Sequence, residues 1–105
     1  DAVCGGGISG LSELFREARA AGIAFTPHTW GNGIGLLANA HLVAGLGPML
    51  PLEFPYDPPE WTTARRDHGL VAPVEADADG CIELGEAPGL GVQLDEAALA
   101  ATRIG

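Results

Sequence analysis

Residues 25–35 read FTPHTWGNGIG: a histidine directly behind a proline, then a tryptophan and three glycines within five positions. The apolar run leading into it, residues 23–27 (IAFTP), is too short for a helix and is bounded by glycine and proline. It reads as a buried strand that stops at His28. Beyond the glycine-rich loop, Ile34, Leu36, Leu37, Ala40, His41, Val43 and Ala44 recur at helical spacing, and the pattern closes at residues 45–48. Strand, loop and helix in this order make half of a β/α unit, so this stretch decides the fold class.

Working outward, the same unit recurs on both sides. Before it, Asp1 leads straight into AVCGGGISG with no apolar strand ahead, so the chain reads as starting in the middle of a fold. Leu11, Leu14, Phe15, Ala18 and Ala21 then follow a helical spacing, with Glu13, Arg16, Glu17 and Arg19 on the outer face. Ser9 or Ser12 is placed to cap that helix, and Gly22 to end it. After it, residues 49–54 (MLPLEF) form a second apolar run, interrupted by Pro51, whose polar member is Glu53.

The polar endpoints of these units are evenly spaced, 27 residues from Asp1 to His28 and 25 from His28 to Glu53. Parallel strands joined by right-handed helical crossovers bring their carboxyl ends to one face of a sheet, where α/β barrels and open doubly wound sheets bind ligands. Asp1, His28 and Glu53 are thereby expected side by side. A carboxylate accepting from one imidazole nitrogen fixes the tautomer and leaves the other nitrogen free to take a proton. His28 is the candidate base, Asp1 its orienting partner, and Glu53 a candidate donor to developing negative charge where burial keeps it protonated. A histidine at a strand end is also a common structural residue, and spacing alone leaves both readings open.

The second half has a different texture. PYDPPEW stacks prolines and aromatics, and the charged segment through Asp67 reads as a linker or wrapping loop. Residues 69–85 alternate apolar and polar residues around Asp79-Gly80, a hairpin signal. A short extended piece and a last helix follow, capped by Asp95 with Glu96 favourable in its first turn. The acidic run EADADG lacks the ligand spacing of an EF-hand and reads as a turn.

Composition removes several functions. The formal charge is −9, and all five bases are arginines, so a nucleic-acid partner is disfavoured and no lysine is present for a Schiff base or phosphate loop. Gly5, Gly6 and Gly7 therefore read as a tight turn into the helix rather than a phosphate cradle. Cys4 and Cys81 read as free thiols, His41 as a packing residue and His68 as solvated. Trp30 either walls a pocket or packs under the loop. No long apolar run or leader pattern is present, which makes a cytoplasmic protein with no membrane partner the expectation.

GGISG before the first helix, PHTWGNGIG after the next strand, LE in the last strand and PGLGVQLDEAAL near the end together resemble the carboxyl-terminal part of a mandelate racemase/muconate lactonizing enzyme-like member of the enolase superfamily. The resemblance spans essentially the whole chain. It implies the last β/α units and final strand of a modified TIM barrel in residues 1–57, with Asp1, His28 and Glu53 at the ends of strands six, seven and eight. It also implies a tail, residues 58–105, that joins a capping domain. In such enzymes Mg²⁺ stabilises an enediolate formed by loss of the proton α to a carboxylate, and its ligands are expected upstream of this segment. The resemblance implies a His28–Asp1 base and a Glu53 that, with Trp30, meets the substrate. PHTWG and PYDPPEW lean towards acid-sugar dehydratases and lactone cycloisomerases. A lyase or isomerase, inactive as this segment alone and homo-oligomeric when complete, is the resulting expectation; a non-catalytic packing or subunit-association segment is the alternative.

Overall fold

The computed structural model describes residues 1–104; Gly105, at the end of the expected tail, lies outside the described residues. Four helices follow in order: α1 (Gly7–Ala20), α2 (Gly33–Leu46), α3 (Thr63–Arg66) and α4 (Glu96–Ala101).

The middle position belongs to α2, and its composition explains why. One side of it packs with α1 through Ala2, Leu11 and Leu42, against which Phe25, Ala38 and Leu46 lie. The other side packs through Leu36, Leu37 and Val74, joined by Leu52, Phe54, Leu70 and Ile82. A helix covered on two sides needs apolar residues almost all round. That accounts for the broad apolar pattern of the sequence, although Ile34 and Ala44 remain exposed. Asn32 caps its start, its side chain accepting from the Gly35 N–H at 2.9 Å.

α1 is amphipathic as expected, with Leu11 and Phe15 buried and Phe15 edge-on to Phe25 at 5.3 Å. Its boundaries need correction. It starts at Gly7, before Ser9, from a left-handed Gly6 with no side-chain cap, and Ser12 donates instead to the Ile8 carbonyl. Leu14, read as part of the buried face, is exposed. Its end is a Schellman motif: Gly22 at φ 69 donates to the Arg19 carbonyl while Ile23 donates to that of Ala18.

The strands expected at residues 23–27 and 49–54 are not formed; among the described residues the only bridges are isolated ones, Asp57 with Trp61 and Leu70 with Leu94. The segments do run side by side in the same direction. Thr26 Oγ1 donates to the Pro51 carbonyl at 3.1 Å, and Thr29 Oγ1 to that of Glu53. Pro27, Pro51 and Pro55 have no N–H for a ladder, so threonine side chains make the joins that backbone amides make in a sheet.

The charged stretch read as a loop contains α3, capped by Thr62, and ends in a buried ion pair. Arg66 meets Asp67 through Nε to Oδ1 at 2.8 Å and Nη2 to Oδ2 at 2.7 Å. The guanidinium also donates to the carbonyls of Pro55 and Val74, lies 4.4 Å from the Phe54 ring centroid, and leaves Asp67 Oδ2 to accept the Val74 N–H. At residues 77–81 the expected turn is present, with Gly80 at φ 77 and the Asp77 carboxylate accepting from the Asp79 and Cys81 amides. The hairpin arms beyond it are not laddered. Asp95 caps α4 through Ala98 N–H, with Glu96 in the first turn.

Candidate functional site

The loops that follow the two extended segments, together with the turn at Asp1, assemble one rim. The tight turn at residues 1–5 holds Asp1 there: the Gly5 N–H donates to the Asp1 carbonyl at 2.8 Å, and a Cβ on Gly5 would sit only 2.8 Å from that same oxygen. The glycine-rich turn reading therefore holds for Gly5 on steric grounds.

His28 projects outward, its side chain 66% exposed, with Nε2 3.9 Å from Glu53 Oε2. Glu53 is held in place by the residue after the histidine. The Thr29 N–H donates to Oε2 at 2.6 Å, and the buried Thr29 hydroxyl donates to the Glu53 carbonyl. The Glu53 side chain is 39% exposed and its carboxylate faces the rim.

Asp1 is joined to His28 indirectly. Asp1 Oδ1 accepts from Val3 N–H at 2.8 Å and from Asn39 Nδ2 at 3.2 Å, while the same Asn39 nitrogen donates to the His28 carbonyl at 3.2 Å. The structure thus brings the Glu53 carboxylate to the imidazole and ties Asp1 to the histidine backbone through Asn39. Thr29 and Asn39 were missed in the sequence. The available signal for Asn39 was an amide inside a helix that, His41 apart, carries no other polar side chain.

A small cavity of about 120 Å³ opens beside Asp1, lined among others by Thr29, Trp30, Asn32 and Asn39, with His28 and Glu53 outside its lining. Trp30 is both wall and packing residue: it lines this cavity, is 44% exposed, and stacks on Trp61 at 6.3 Å between centroids. Trp61 comes from the loop closed by the Asp57–Trp61 bridge and carries the Arg65 guanidinium 5.2 Å from its ring centroid. A wider groove of about 700 Å³ lies on the opposite side of α2, between Leu37 and the tail.

Other candidates have plainer places. His41 is half-buried with Nε2 3.4 Å from the Leu90 carbonyl, and His68 is exposed beside Thr102 Oγ1. Cys4 and Cys81 are free and exposed. Among the described residues no three His, Cys, Asp or Glu side chains form a set that could hold a metal ion, so these residues do not by themselves fit Mg²⁺. No described helix is long and apolar enough to cross a membrane.

Successive loop, helix and extended segments deliver these polar residues to one rim, and the described residues form four helices with no strand. The family follows from comparison: residues 1–98 match the model for enolase C-terminal domain-like proteins, and the chain belongs to that family. It is also similar to D-galactarolactone cycloisomerase of Agrobacterium fabrum (strain C58), 28% identical over 107 residues that cover 97% of this chain and 28% of that protein. The chain therefore spans well under a third of that relative's length. No solved structure matches it.

Proposed function

We propose that this chain is the carboxyl-terminal barrel segment of a lyase or isomerase that removes the proton α to the carboxylate of a sugar-derived acid. Family membership and the likeness to a cycloisomerase support the reaction class. The observation that carries the residue roles is the rim itself, where an exposed imidazole stands 3.9 Å from a carboxylate pinned by Thr29.

His28 acts as the base. Its ring nitrogen takes the α-proton, and the electron pair moves into the substrate carboxylate to give an enediolate. The imidazolium then delivers its proton to a departing β-hydroxyl, which completes a dehydration; isomerisation instead needs a group outside this chain to protonate the opposite face of the same carbon, since return of the proton from His28 regenerates the substrate. Glu53 orients the bound acid beside the imidazole, Trp30 walls the cavity against the sugar chain, and Asp1 sets the histidine segment through Asn39.

The resident ion of this reading is Mg²⁺, with ligands outside the described residues; the steps above run on this chain's own groups. The reading also carries the rest of the barrel, a capping domain against the tail, a homo-oligomeric assembly and a cytoplasmic location.

The test uses the full-length protein with Mg²⁺ in D₂O and a panel of acid sugars and their lactones, followed by NMR for loss of the α-proton signal. Wild type exchanges at least one substrate, and His28→Asn lowers the rate by about 10²-fold or more. Silence across the panel, or undiminished exchange in the variant, rejects the reading in favour of a packing segment.

A further inference from the structure

Asn39 is wholly shielded from solvent, in a helix whose neighbouring positions Leu36, Leu37, Ala40, Leu42 and Val43 are buried apolar side chains. A buried amide is costly unless its hydrogen bonds are made, and packing α2 does not call for one at this position. The partners of this amide are the informative part. Its oxygen accepts from the Ala2 N–H at 2.8 Å, which forces the nitrogen to face the other way. The nitrogen's two hydrogens then go to the Asp1 carboxylate and the His28 carbonyl, both at 3.2 Å.

One side chain therefore spans two segments that lie far apart in sequence and ends on both residues assigned to the base. Few residue types can do this. An aspartate has no donor and would set a second carboxylate against Asp1, a serine has a single donor, and a leucine has none. We propose that Asn39 is a positioning residue that fixes the Asp1 carboxylate and the His28 backbone relative to each other and so aligns the imidazole for proton transfer. This rests on the proposed proton-abstraction reading and adds to it the group that sets the base geometry.

The test is Asn39→Asp in the full-length protein, with Mg²⁺, in the same D₂O exchange assay, resolved into kcat and KM. The variant is isosteric and keeps the oxygen that serves Ala2 while removing both donors. A misplaced base lowers kcat by about 10²-fold with KM little changed and the far-UV circular dichroism intact. Asn39→Ser, which keeps one donor and adds no charge, gives an intermediate kcat and is read in place of Asn39→Asp should that variant fail to fold. An unchanged kcat, or loss of kcat, KM and fold together in both variants, overturns the inference and leaves the proposed reaction standing. If wild type exchanges no substrate, the reaction reading fails and the crystal structure of Asn39→Asp decides this inference alone: Asp1 and His28 displaced from one another supports it, and both unmoved overturns it.

Discussion

Residues 1–57 and residues 58–104 are held by opposite means. In the first region two helices bury apolar side chains against each other and against the extended segments, with Leu11, Phe15 and Leu42 almost fully enclosed. In the second, Val74 is the one buried large apolar residue among those described, and the organising contact is the Arg66–Asp67 pair, whose side chains are 0% and 3% exposed. Apolar packing tolerates small shifts, whereas a buried ion pair has a single good geometry and fails badly when halved. The rim residues sit on the tolerant side of this divide. The loop that brings Trp61 to Trp30 depends on the intolerant one.

The sharpest way to break the contrast is Arg66→Met, which leaves the Asp67 carboxylate buried without its cation. About 3–5 kcal/mol of local stability is lost, read by hydrogen exchange in the full-length protein as lost protection around residues 55–76 while α1 stays protected. Adding Asp67→Leu to that variant recovers part of the loss, since removing both charges costs less than removing one. Leu11→Ala does the converse, at about 2–5 kcal/mol, with protection lost in α1 and retained near Val74.

Gly33→Ala strikes the joint between the regions. A Cβ there would overlap Asp67 Oδ1, an atom that Arg66 keeps from moving. The expected cost is about 1–3 kcal/mol, opposite in sign to the usual benefit of alanine in a helix and measurable by urea unfolding. The smallest effect belongs to Asp95→Ala, about 1 kcal/mol from the lost cap, seen as fraying confined to α4.

Much of the first region was legible because helix period and glycine punctuation are local signals. α1, α2, the Gly22 stop and the Asp77–Cys81 turn follow from them directly. The family resemblance was also legible, since it lay in short motifs held in order along nearly the whole chain. What failed was long-range or charge-based. Residues 23–27 and 49–54 have strand-like patterns, but a ladder needs partner amides, and the prolines in and beside them supply none. Arg66 and Asp67 fell in a charged stretch read as a linker or wrapping loop, and only the fold shows that they satisfy each other in the interior. Asn39 was hidden for the reverse reason, as one polar letter inside an apolar run. The rim's membership was read from spacing; its wiring, with Glu53 rather than Asp1 beside the imidazole, was not.

The stacked indoles carry an optical consequence. Trp30 and Trp61 are the two tryptophans of this chain, and their rings lie 6.3 Å apart at 25° beside the small cavity. At that separation their electronic transitions couple, so the pair contributes a split signal to circular dichroism that neither ring produces alone. A molecule that settles against Trp30 alters the coupling, which turns the cavity wall into a built-in reporter of its own occupancy.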